Sequence, residues 1–347
     1  MYSEMKIGHN IFILSAFAAI YMGCKGHDSS QSETIVYSAS VDTVASLDMC
    51  VYPIQIEKMN NCLVILDIGN NIQCLSAYSP EGKLLRRFGN IGKAANEVNE
   101  VSHFFRVNDS TISVHKPGGI LYYYLNDIYE ANCNSEMERI DENRVSIHDI
   151  YADSTGVLCL SNSDEERFSY TDSKGNRISY NSYPSGCVDY PGDEQAVFNY
   201  AIKYGVDMDN KRFCVGTYIG GVLETFQISA GGFEPLGVNK LFESKYTKFD
   251  NGAVSWNEES RMGFDAICAE KNKIYTLLSG AKGALLKKGE HTSFTDKITV
   301  FNWDATIHSE IHIGHNMLSM CVSEERKEIY AICYRQSGNF YLIHATW

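Results

Sequence analysis

The sequence predicts an all-β protein: a six-bladed β-propeller whose last blade is closed by an N-terminal strand. Three observations carry this. A polar turn flanked by apolar strands recurs six times, a second kind of turn falls between those, and the C-terminus is one strand short of a blade. The 347 residues include 22 Tyr and only 6 Pro, a balance that favours strands.

In chain order the recurring turns are Asn60-Asn61, Asn108-Asp109, Asp153-Ser-Thr-Gly156, Asp209-Asn210, Lys271-Asn-Lys273 and Glu324-Glu-Arg-Lys327. Asn, Asp and Gly suit tight hairpins because they tolerate positive φ. An apolar strand follows each turn, at 62–67, 111–115, 157–160, 213–217, 274–278 and 329–334. The repeat of about 46 to 61 residues is close to the length of a propeller blade. Between these lie Ser79-Pro-Glu-Gly-Lys83, Asp172-Ser-Lys-Gly-Asn176, Ala230-Gly-Gly232 and Asp304-Ala305. Each unit therefore reads as four antiparallel strands. A single β-sandwich holds too few strands for this pattern, and no Pro- or Ser-rich linker divides the chain into two.

After the last recurring turn only 329–334 and 339–346 remain, which with 316–322 makes three strands. The region 34–44 supplies the fourth and removes an open edge. Alternation of Ile35, Tyr37 and Ala39 with Thr34 and Ser38 fits such a strand. The insertion at 244–260 lengthens the fifth unit.

Ahead of the propeller, Lys6 precedes an apolar run at 11–22 that ends in Gly23-Cys24. The run is shorter than the roughly 20 residues a spanning helix needs and suits the core of a signal peptide. Gly23-Cys24 resembles the bacterial lipobox, with Tyr21 where Leu is usual. That chemistry takes a small residue before the cut and a thiol after it to carry lipid. The expected division is a signal peptide at 1–23, lipidated Cys24 with a polar tether at 24–33, and the propeller at 34–347. The lipid and the strand that closes the ring then lie at one place on the body.

The other cysteines form no C-x-x-C pair, which excludes zinc-ribbon and thioredoxin-like motifs. Cys62, Cys159, Cys214, Cys268, Cys321 and Cys333 sit in apolar strands and read as small hydrophobes. Cys133 and Cys187, both in loops, are the pair to test for a disulfide. A net charge of −13 argues against nucleic acid and anionic lipid headgroups as partners, since both need basic patches.

The segment Tyr78-Ser-Pro-Glu-Gly-Lys-Leu-Leu-Arg-Arg-Phe-Gly89, followed by Asn-Ile-Gly92-Lys-Ala-Ala-Asn-Glu97, resembles the first-blade signature of the TolB-like six-bladed propeller lipoproteins of Bacteroidota. Gly89, Gly92 and Glu97 match it, while Ala94 and Ala95 replace its Gly-Pro. Arg261-Met-Gly-Phe-Asp265 with 273–280 is similar to the fifth-blade segment, and Val300-Phe-Asn-Trp303 through 328–332 to the closing blade. The resemblance implies a propeller with a lipid anchor and implies no particular activity.

No catalytic constellation stands out. Gly92-Lys93 lacks the Walker spacing, and no G-x-S-x-G elbow occurs. His308, Glu310 and His312 alternate on one strand face, but a strand with one wet side gives the same pattern, and same-face neighbours stand nearly 7 Å apart. Neither a metal nor a cofactor is expected. Tyr122-Tyr123-Tyr124 reads as packing between blades, and a carbohydrate platform is the alternative.

Propeller ligands tend to bind at one mouth of the channel, between blade-connecting loops. The loops at 96–101, 190–194 and 256–261 bring forward Glu97, Tyr190, Asp193, Trp256 and Arg261 as candidate ligand contacts. The expected function is a lipid-anchored binding or interaction module of the cell envelope, an outer-membrane lipoprotein that captures a glycan, peptide or envelope protein. The alternative is a propeller lyase or glycosidase acting on acidic polysaccharide.

Overall fold

A computed structural model of the chain describes residues 34–347 except 95, 100, 117–118, 126–134, 140–146, 154, 162–165, 189, 191, 290–293 and 336. The signal-like run and Cys24 fall outside these residues, as does Cys133 and with it the disulfide expectation.

Strands dominate, and they form where apolar and polar residues alternate between turn residues. Two N-terminal strands come first, β1 (Ile35–Ser38) and β2 (Ser40–Ser46). Blade one holds β3 (Pro53–Lys58), β4 (Leu63–Asp67), β5 (Gln73–Tyr78) and β6 (Leu84–Asn90). Blade two holds β7 (Phe104–Asn108), β8 (Thr111–Lys116), β9 (Gly119–Tyr124) and β10 (Ser135–Arg139). Blade three holds β11 (Ile147–Asp153), β12 (Gly156–Ser161), β13 (Phe168–Asp172) and β14 (Arg177–Tyr180). A short helix, α1 (Glu194–Asn199), leads into blade four, with β15 (Lys203–Asp207), β16 (Arg212–Gly216), β17 (Val222–Ser229) and β18 (Gly232–Lys240).

An inserted hairpin follows, β19 (Thr247–Lys248) with β20 (Val254–Ser255). Blade five comprises β21 (Phe264–Ala269), β22 (Lys273–Leu278), then α2 (Gly283–Lys287), β23 (Thr295–Asn302) and the start of β24 (Ile307–Ser323). The end of β24 opens blade six, which continues through β25 (Glu328–Tyr334) and β26 (Phe340–Thr346). Within β24 the residues up to His312 pair mainly with β23, and those from Met317 onward pair with β25. Gly314, with φ of 77°, lies between the two stretches, a value that glycine adopts without steric cost.

The fourth strand of blade six is β2, antiparallel to β26 from Ser40 opposite Thr346 to Ser46 opposite Tyr341. The expected N-terminal closure is present, with one refinement. The closing strand is Ser40–Ser46, and Ile35–Ser38 instead pairs in parallel with β24 at the edge of blade five. Ile35 and Tyr37 are therefore exposed. Together β1 and β2 staple the outer edges of blades five and six.

The core is divided among the blade-to-blade seams. Val64, Phe88, Phe104 and Tyr123 fill the seam between blades one and two. Phe168, Phe213, Phe226 and Phe233 fill that between three and four, Phe264, Phe301 and Trp303 that between four and five, and Ile298, Met317 and Ile343 that between five and six. Ile56, Ile65, Tyr330 and Leu342 join blade six to blade one, completing the ring with side chains rather than a sheet. Cys62, Cys214, Cys321 and Cys333 are buried, and Cys159 and Cys268 are half-buried. Burial pushes Cys214 and Cys333 up to about 12, which leaves them protonated and inert.

Candidate functional site

In each blade the first strand starts, and the second ends, at the face that carries the blade-to-blade connections. The connections from β14 to β15 and from β18 to β21 are the longest there, because they carry α1 and the inserted hairpin.

Asp193 joins them. It sits just before α1 and accepts a backbone hydrogen bond from Val197 at 3.0 Å. Its carboxylate does not cap the helix. It accepts instead from the Tyr246 hydroxyl at 2.9 Å and from the Lys248 ammonium, both on the inserted hairpin. Asp193 is only 3% exposed, whereas Lys248 keeps half its surface in solvent. The hydrogen bond from Lys248 holds the Asp193 carboxyl below the usual range. Tyr190, 65% exposed, meets the Tyr246 ring edge-on at 6.3 Å.

The hairpin is fixed at its base. Ser244 donates to the Cys187 carbonyl at 2.9 Å, and buried Ser260 donates to the Lys245 carbonyl at 2.5 Å. Asn257 donates from its backbone to Ser260 Oγ at 2.7 Å. Trp256 is half-buried beside Gly283, where a Cβ would come within 1.9 Å of the Asn257 carbonyl and 3.2 Å of the indole. Arg261 is exposed, its guanidinium 5.1 Å from the centre of the Phe242 ring. Its carbonyl accepts from Gly220 at 2.9 Å.

Four of the five sequence candidates, Tyr190, Asp193, Trp256 and Arg261, thus lie on or against one insertion between blades four and five. Glu97 lies on the connection from β6 to β7 and closes its own loop. Its carboxylate accepts from the Ala94 backbone at 2.9 Å and covers Gly92, where a Cβ would stand 2.0 Å from Oε2. Lys116 donates to the carbonyls of Ala94 and Glu97. That explains Gly92 and assigns the Glu97 side chain to loop structure.

Tyr246 and Lys248 were not among the sequence candidates. Their signal was the insertion at 244–260, a polar and aromatic interruption of the repeat. At the outer edge of blade five, Glu310 pairs with Lys297 at 2.6 Å and lies 3.5 Å from His312. No group of metal-ligating side chains occurs among the described residues. No helix among them is long and apolar enough to cross a membrane.

Comparison with known proteins agrees with this architecture. The family model for TolB-like 6-blade propeller-like proteins matches residues 31–325. A protein of Bacteroides fragilis NCTC 9343 described as exported is similar at 14% identity and a TM-score of 0.52, covering 90% of this chain and 98% of its own. A luciferin-regenerating enzyme is similar at 10% identity and a TM-score of 0.51, with 89% and 95% covered. The protein U3-55K is similar at 7% identity and a TM-score of 0.53, with 88% and 98% covered. At such identities the likeness is one of fold. No curated protein matches the chain.

Proposed function

The chain belongs to the TolB-like six-bladed propeller family, and from that premise we propose that it is a lipid-anchored binding module of the cell envelope. In this reading residues 1–23 are a signal peptide, Cys24 carries the lipid, and 24–33 tether the propeller to the outer membrane. The ligand, a glycan, a peptide or a partner protein, docks where Tyr190, Trp256 and Arg261 surround the inserted hairpin. One observation carries the docking face. Asp193 spends its carboxylate on Tyr246 and Lys248, fixing a hairpin that leaves Tyr190 and Arg261 exposed. Fixed side chains lose little entropy on binding, and aromatic and Arg side chains dominate such contacts.

The docking face is tested by a glycan and peptide array probed with wild type, Trp256→Ala and Arg261→Ala. Loss of the array signal in both variants is expected, and an unchanged signal refutes the face. The anchor is tested by radiolabelled palmitate, which enters wild type and not Cys24→Ala. Equal labelling of both would refute the anchor.

A further inference from the structure

Blades four and five approach closely where their first strands run side by side. Gly205 of β15 lies against β21: a Cβ there would stand 2.9 Å from the Ala269 Cβ and 3.0 Å from the Ile267 Cγ2. Both strands run inward from the same face, and side chains on one face of a strand recur every second residue. Two residues nearer the face, Lys203 opens β15 and Asp265 stands near the start of β21, so the two lie at the same level of the seam.

Electrostatics agree with that placement. Burial pushes the Asp265 carboxyl up to about 7, and the Lys203 ammonium acts against it. Burial lowers Lys203, with Asp265 opposing. Yet the two do not join: among the described residues neither side chain makes a hydrogen bond or ion pair, and Asp265 Oδ2 is enclosed without a partner. Asp265 also falls at the register shift of β21 against β22, between Phe264 and Ala266. Such a bulge re-aims the side chain it carries.

We propose that Lys203 and Asp265 form the floor of a recognition site for a neutral sugar, one hydroxyl accepting from the Lys203 ammonium and donating to the Asp265 carboxylate. A hydroxyl donates and accepts through a single atom, which suits two opposite charges that stand near each other without touching. An anionic sugar or acidic peptide would set a second negative charge beside Asp265. The segments that lead into β15 and β21 carry Tyr190 and Trp256, whose flat apolar faces suit a sugar ring. The inference rests on the docking face proposed above and narrows its ligand to neutral glycans.

The test probes an array of neutral oligosaccharides, acidic oligosaccharides and peptides with the full chain purified in detergent, as wild type, Lys203→Met, Asp265→Asn and Tyr190→Ala. Melting curves establish that each variant is folded. Wild type should retain neutral glycans, and each floor substitution should weaken that binding roughly tenfold or more, as loss of a charged hydrogen bond does. Neutral-glycan binding that survives both floor substitutions overturns the inference, as does an array that retains only acidic glycans or nothing. Peptide binding lost in Tyr190→Ala and unchanged in Lys203→Met would overturn it while leaving the docking face standing.

Discussion

Arg167 of blade three and Glu224 of blade four form an ion pair from which water is excluded. Their side chains are 1% and 3% exposed. Arg167 Nη1 donates to Glu224 Oε1 at 3.1 Å and Nη2 to Oε2, while Nη1 also reaches the Ser182 carbonyl at 2.9 Å. The guanidinium lies 4.5 Å from the ring centres of Phe168 and Tyr183.

Breaking this pair strands a buried charge. Glu224→Leu should cost about 3–5 kcal/mol, whereas Arg167→Met with Glu224→Leu should recover most of that loss. Urea unfolding of the two variants checks it. A double variant no more stable than the single would mean that the pair holds the seam by more than charge.

Glu57 and Glu270 should make the propeller less stable as pH rises. Burial pushes both up to about 7, against the pull of Arg106. An unfolded glutamate titrates near 4.3, so the folded chain holds more protons between about pH 4 and 7. This contribution is fullest below about pH 4, falls through the folded pKa near 7, and is flat above it. Glu57→Gln and Glu270→Gln should each stabilise the chain at pH 8 by on the order of 1–2 kcal/mol and by little at pH 4. Urea midpoints across that range measure the difference.

Asp193 predicts the opposite slope, confined to the insertion. Its folded pKa is depressed through Lys248, so its contribution is present above about pH 4 and is lost as pH falls through the folded value. Asp193→Asn should speed amide exchange over residues 245–260 at pH 7 and leave the blade strands protected. Unchanged exchange there would mean that Ser244 and Ser260 fix the hairpin without it.

The two N-terminal strands should differ in weight. A chain starting at residue 39 loses β1 alone among the described strands, one whose residues are exposed, and should melt as a single cooperative unit. A chain starting at residue 47 also loses β2, bares the edge of β26, and should unfold less cooperatively and self-associate. Sedimentation and thermal melts separate the outcomes.

The blades were legible in the sequence because tight turns impose local chemistry: Asn60-Asn61, Asp209-Asn210 and Glu324-Glu-Arg-Lys327 each need residues that bend. The closing strand was legible by counting, since blade six lacked one. The division of labour between β1 and β2 was not, because exposed Ile35 and Tyr37 alternate as a buried strand would. Asp193 was legible only as a polar residue in a loop. Its partners Tyr246 and Lys248 stand more than fifty residues away, and local periodicity carries no trace of them. Arg167 with Glu224, and Lys203 beside Asp265, arise from how neighbouring blades abut. Those contacts depend on the ring being assembled.

Ser40 lies opposite Thr346, so the first strand needed to close the ring waits for a partner more than three hundred residues further along the chain. Five blades can assemble as the chain emerges, but β2 has no partner until β26 has emerged as well. Contacts of such long range are slow to form. A chain interrupted before β26 would therefore leave β2 unpaired at its far end, a marker by which quality control could tell a closed ring from an open one.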